Sequence, residues 1–357
     1  MLWAHANCCR ALAQERIDLR FGAGHWSSSD HYTVVILENI ERSVPNRLPE
    51  ISAATFGAVT SDRGAFYGFV EMLSCPNCGE RVDIMLLDVR LLSLIDQTTR
   101  LLYRYIDRSE DKTLKFLPFD DAGRAAGREL LRYHVHRSPE QIVAAYRVDE
   151  TCEPHRFLNA LGGLAKTWVA IHETSHLGPG RSLPIVEPRF KQMSYMAKLF
   201  GAPDSRILAW AEEATADSNA YHMTHIGMSG PGRFNPKGEQ RALWTAVLSS
   251  AMVYALKLIE IMQWSACPPQ QGIALGRQPA TARHPPTALR YRIASNEASV
   301  YTQLLSEEPS SWQSSIDALT NALDALFGVR PQWLREEETL IFARLDRIRP
   351  QIVRKPE

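Results

Sequence analysis

Two histidines four residues apart, His172 and His176, enclose a glutamate in the run Trp-Val-Ala-Ile-His-Glu-Thr-Ser-His at 168–176. Imidazoles at that spacing project from one face of a helix and can reach one metal ion, while Glu173 points about 100° round the axis. A zinc hydrolase needs this combination: two ligands and a carboxylate left over to act as general base. Trp168, Leu164 or Ala165, and Leu161 continue the histidine stripe backwards, so this face is expected to point into the protein.

Two ligands are too few, because a catalytic zinc takes three protein ligands and keeps one position for water. The pattern with Gly three and His six residues after the second histidine fails here, since Pro179 and Ser182 occupy those positions. The chain offers instead residues 209–221, on a helix with a start signal at Pro203, Asp204 and Ser205. There Trp210, Glu213, Asp217 and Tyr221 share a face. Glu213 can ligate, and Asp217 can accept a hydrogen bond from the outer ring nitrogen of a ligating histidine. His222 and His225 compete for the third place, against the alternative that they only cap or decorate the helix end.

His172-Glu173-x-x-His176 followed by Glu213-x-x-Ala216-Asp217 resembles the gluzincin metallopeptidases. The resemblance implies a zincin-like fold with Glu213 as third zinc ligand. The segment 283–293, Arg-His-Pro-Pro-Thr-Ala-Leu-Arg-Tyr-Arg-Ile, is similar to the His-Pro-Pro and Arg segment of the CAAX-prenyl-protease and heat-shock membrane protease group. The chain departs from that group in lacking its membrane spans, and it is also similar to the soluble Lit-type phage-exclusion peptidases. That last resemblance implies a bacterial defence role and limited cleavage of elongation factor Tu.

The expected activity is that of a zinc endopeptidase acting on a cytosolic protein. Zinc on His172, His176 and Glu213 would bring the pKa of its water to about 7 and polarise the scissile carbonyl. Glu173 would take the water's proton and pass it to the leaving amine. The oxyanion needs another donor, for which His284 and Arg290 are candidates by resemblance and Tyr221 and His222 by proximity in sequence. Against this, Pro285 and Pro286 could merely start a helix with His284 before it. Two rival functions are a non-catalytic zinc-binding regulatory protein and a zinc amidohydrolase acting on a non-peptide substrate.

Cys75-Pro-Asn-Cys78-Gly is a knuckle, a tight turn that lets two thiolates share a zinc. One knuckle is half a site. The other half could come from His5 with Cys8 or Cys9, or from Cys152 and His155; the alternatives are free thiols or a disulfide.

The elements that must carry these residues fall into two textures. Residues 1–120 read as an α+β region, with strand-like runs at 31–40, 64–73 and 81–89. Residues 121–357 read as a helical metallopeptidase domain, with amphipathic spans near 122–133, 138–146, 156–177, 189–200, 204–226, 239–264, 286–306, 311–327 and 331–347. Breaker-rich loops are expected at 227–238 and 267–286, the second a surface segment at the mouth of the cleft. The apolar run 242–264 contains Lys257 and Glu260 and reads as a buried core helix, not a membrane span.

The 357 residues are 45% hydrophobic and 22% charged, with 40 basic against 40 acidic side chains. That composition predicts a soluble globular protein, and the zero net charge gives no sign of nucleic-acid or membrane partners. The first residues do not read as a signal peptide, and six cysteines without one suggest a reducing, cytoplasmic location. A protein or peptide substrate is the expected partner, together with a regulator or inhibitor.

Overall fold

Alternation within one strand organises the N-terminal layer. The computed structural model describes residues 7–27, 36, 38, 55–59, 68–107, 114–136, 156–176, 194–229, 239–278, 284–304 and 310–352. The first four strands are β1 (Trp26–Ser27), β2 (Thr55–Val59), β3 (Gly68–Ser74) and β4 (Arg81–Asp88). They form one sheet in the order β1-β2-β4-β3, with β4 parallel to β2 and antiparallel to β3. Because side chains alternate across a strand, β4 sends Val82, Ile84 and Leu86 to one face and Met85 and Leu87 to the other. Helix α1 (Asn7–Phe21) covers the first face with Cys9, Ala13, Ile17 and Phe21, spaced one turn apart.

The second face meets the helical body. Asp88 ends β4 and caps α2 (Val89–Leu102), accepting a 2.8 Å hydrogen bond from the Arg90 backbone N–H. Helices α3 (Asp121–His136), α4 (Arg156–Thr174), α5 (Asp204–Ser229), α6 (Glu239–Ala266), α7 (Thr287–Leu304), α8 (Ser310–Phe327) and α9 (Gln332–Ile352) follow. The class is α+β and predominantly helical. Helix α6 is the hub, packing on α2, α3, α4, α5, α7 and α8. It is long and apolar enough to cross a membrane by length and composition, but the qualifying stretch is 94% buried within the protein. Its charged residues in that stretch, Lys257 and Glu260, are themselves buried, so it shows no solvated polar face there. One continuous core runs from Ile36, Met85 and Leu87 through α2, α4 and α6 to Phe327, so the two textures share their interior.

The strands expected at 64–73 and 81–89 correspond to β3 and β4, with residue 89 already in α2. Most of 31–40 lies outside the described residues, and Ile36 and Glu38, which are described, are helical and not extended. The span 138–146 also lies outside them, as does most of 227–238. The expectation of a loop without apolar order at 267–286 needs correction for its first part. Leu275–Arg277 is a 3₁₀ turn whose Gly276 N–H donates to Phe200 C=O at 2.8 Å. Leu275 and Gln278 are buried, and the Gln278 side chain bonds the backbone of Gln270 and Ile273. A buried amide that satisfies three backbone groups gives this segment an order that hydrophobic periodicity does not report.

Candidate metal centre

Helix α4 runs beneath β3 and β4 and ends at the histidine pair, while α5 crosses it with Glu213 and Asp217 facing inwards. His172 Nε2 lies 3.3 Å from His176 Nε2 and 3.3 Å from Glu213 Oε2, and His176 Nε2 lies 3.5 Å from Glu213 Oε1. The two Glu213 contacts use different carboxylate oxygens, but each separation is close to the edge of a tetrahedron whose centre lies about 2.0–2.1 Å from each vertex, the bond length zinc makes to histidine nitrogen and carboxylate oxygen. The three residues therefore fit a zinc ion by donor type and by spacing.

The charges around the three ligands also call for a cation. Burial disfavours an imidazolium at His172, yet its contacts with Asp217 and Glu213 outweigh this and push its pKa up to about 10. Burial and then the neighbouring His172 charge push His176 down to about 4. Glu213 is held well below the ordinary carboxylate range: burial opposes this, but His284 and His172 overcome it. Two carboxylates, Glu213 and Asp217, thus surround the His172 ring with negative charge.

Asp217 sits where the resemblance puts a supporting carboxylate. It is fully buried, with Oδ1 2.9 Å from His172 Nδ1. Its other partner is Arg290, one turn into α7, whose Nε and terminal nitrogen donate to the two Asp217 oxygens at 2.7 and 2.6 Å. The bidentate pair neutralises a carboxylate that could not otherwise remain ionised at such depth. The His-Pro-Pro segment starts a helix and also lies beside the ligand cluster. Pro286 accepts the first helical hydrogen bonds of α7, from Leu289 and Arg290, and His284, just before it, places Nδ1 3.0 Å from Glu213 Oε2.

Glu173 is buried beside the ligands and is not one of them. Burial holds its carboxyl above the ordinary range, the positive His172 pulls the other way and the Glu213 charge adds to the rise. Its side chain lies against Gly68, the first residue of β3: a Cβ there would stand 2.6 Å from Glu173 Cδ and 2.8 Å from Oε1. Only a residue without a side chain leaves the carboxylate its place. Gly68→Ala is therefore expected to keep the metal and nearly all the stability, because the displaced atoms are the mobile end of a side chain. Hydrolysis should fall by about 10²-fold, the usual effect of a misplacement near 1 Å. Metal content, melting temperature and yield of cleaved product, measured together, check this.

The remaining candidates lie elsewhere. The Tyr221 hydroxyl is 3.0 Å from Ser249 Oγ of α6, within the core. His222 Nε2 is 2.8 Å from Glu297 Oε2, and Glu297 also accepts from Ser218 at 2.7 Å. Neither His222 nor His225 joins the ligand cluster, whose members are His172, His176 and Glu213. Gly68 was not singled out from the sequence: a glycine inside the strand-like run 64–73 signals a close approach but not which residue approaches. Cys75 and Cys78 are met by Cys8 and Cys9 from α1, whereas His5, Cys152 and His155 lie outside the described residues. Comparison with known proteins finds no matching family model, no matching curated protein and no matching solved structure.

Proposed function

We propose that this chain is a zinc-dependent endopeptidase of the gluzincin kind, cutting a peptide bond in a cytoplasmic protein. The carrying observation is that His172, His176 and Glu213 lie at the edge lengths of a zinc tetrahedron while Glu173, equally buried, stays outside the ligand set. Bound zinc supplies Lewis acidity and an acidified water. Glu173 accepts the proton that the attacking water gives up and delivers it to the leaving nitrogen, a role suited by a pKa raised above that of an exposed glutamate. Asp217 orients the His172 ring, and Arg290, spent on Asp217, is a positioning residue. This leaves His284, beside Glu213 and still partly exposed, to meet the oxyanion.

A peptide substrate is favoured over a small amide by the sheet. Strand β3 is the terminal strand in the order β1-β2-β4-β3, and among the described residues no strand pairs with its outer edge. An extended chain laid along that edge would gain backbone hydrogen bonds and pass the Glu173 side chain at Gly68. Cysteines that form no disulfide suit a reducing compartment.

The test compares new protein N-termini in cells making wild type or Glu173→Gln at equal level. The reading expects N-termini that depend on Glu173. Identical sets from two proteins that both carry zinc at this centre would overturn it, in favour of a regulatory zinc protein or a non-peptide amidohydrolase.

A further inference from the structure

The second cluster of potential ligands lies on the far side of the sheet. The chain from Cys75 to Glu80 makes the β3–β4 hairpin turn, closed by hydrogen bonds from Cys75 N–H to Glu80 C=O and from Gly79 N–H to Cys75 C=O, both 2.8 Å. Gly79 has φ +73°, the left-handed conformation that lets the turn fold back under its own cysteines. The first turn of α1 brings Cys8 and Cys9 to the same point. Cys9 Sγ is 3.2 Å and Cys8 Sγ 3.6 Å from Cys78 Sγ, and all four sulfurs lie within 4.8 Å of one another. Tetrahedral zinc with four thiolates needs sulfurs about 3.8 Å apart.

We propose that Cys8, Cys9, Cys75 and Cys78 form a tetrathiolate zinc site that fastens the start of α1 to the β3–β4 turn.

Three features support a metal over four idle thiols. The first is density: four cysteines from segments about 70 positions apart converge at one point. The second is their setting. Cys8 and Cys9 leave α1 from its first turn, which brings both sulfurs to the hairpin turn. The backbone N–H groups of Asn77 and Cys78 point at the Cys75 sulfur. The third is need. The α1 layer rests on a small cluster, Cys9, Ala13, Ile17 and Phe21 against Cys75, Val82, Ile84 and Leu86. So few buried side chains hold a helix weakly without a staple.

The site also bears on the proposed active centre without depending on it. The hairpin is tied at its turn by the cysteines, and at the other end of β3 Gly68 packs on Glu173. Zinc at the turn would fix the strand that holds the Glu173 carboxylate in place.

The experiment measures zinc and thiols in the full chain purified under reducing conditions, in wild type, His176→Ala, Cys78→Ser and the double variant. A cysteine site predicts one zinc per chain that survives His176→Ala and disappears with Cys78→Ser. Cobalt substitution should produce a thiolate charge-transfer band that follows Cys78 and ignores His176. In wild type, Cys8, Cys9, Cys75 and Cys78 should resist alkylation until a chelator is added, a readout that needs no variant to fold. Iron in place of zinc, freely alkylated thiols in the metal-loaded protein, or a Cys9–Cys78 disulfide would each overturn the proposal. A failure of the His172 centre alone would remove only the zinc that depends on His176.

Discussion

On the proposed function, Glu173→Gln is expected to keep zinc at His172, His176 and Glu213 and to lower hydrolysis by about 10²- to 10⁴-fold, the range of a missing general base. Glutamine has nearly the shape of glutamate and fits under Gly68, but it cannot take a proton. Glu213→Ala acts differently. It removes a ligand together with the negative charge that offsets the ion, so zinc is lost, activity falls with it, and excess zinc restores part. Asp217→Ala weakens zinc about 10- to 100-fold, as expected where a carboxylate orients a ligating imidazole. It should also lower the melting temperature, because Arg290 is left buried without its partner. Zinc affinity by chelator competition, melting temperature and product yield across the three variants form the test. Zinc held at full strength in Glu213→Ala but released by His222→Ala or His225→Ala would mean that the third ligand is a histidine.

Lys257→Ala is expected to cost about 3–5 kcal/mol of stability, the penalty for breaking a buried ion pair from one side. Lys257 is fully buried in α6, with its ammonium 3.0 Å from Glu260 and 2.7 Å from Asp324 of α8. Asp324 also meets Arg330 at 3.3 Å, and Arg330 pairs with Glu338 of α9. Removing the ammonium leaves the buried Glu260 without its cation and the buried Asp324 with Arg330 alone. Lys257→Met with Glu260→Leu should cost much less, since a charge pair leaves together and Asp324 keeps Arg330. A single variant within about 1 kcal/mol of wild type in denaturant unfolding would mean that the network is not holding α6, α8 and α9 together.

The parts of the site legible in the sequence are those set by spacing within a helix. His172 with His176 and Glu213 with Asp217 each lie four residues apart, so helical periodicity puts each pair on one face, whereas His284 and Arg290 were singled out by resemblance alone. What escaped depends on contacts between distant segments. Gly68 matters because of Glu173, and Lys257 reads as an interruption of an apolar run until Asp324 is placed beside it. Helix α2 was hidden because apolar residues run straight from β4 into it, covering the change from a period of two to one of 3.6 at Asp88. Helix α1 was within reach: Cys9, Ala13, Ile17 and Phe21 recur every four residues.

The embrace of Asp217 by Arg290 has a consequence for the order in which the chain is made. By residue 217 the ribosome has delivered all three ligands and the carboxylate behind them, but the guanidinium that neutralises this carboxylate belongs to α7. At about 5–20 residues per second, Arg290 follows Asp217 by roughly 4–15 s, and the rest of α8 and α9 later still. Helix α6 is completed within that interval, at residue 266, so for its remainder the hub is present while Asp217 still lacks the guanidinium that offsets its charge. A chain truncated before α7 would carry His172, His176, Glu213 and Asp217 without the guanidinium that neutralises the Asp217 carboxylate.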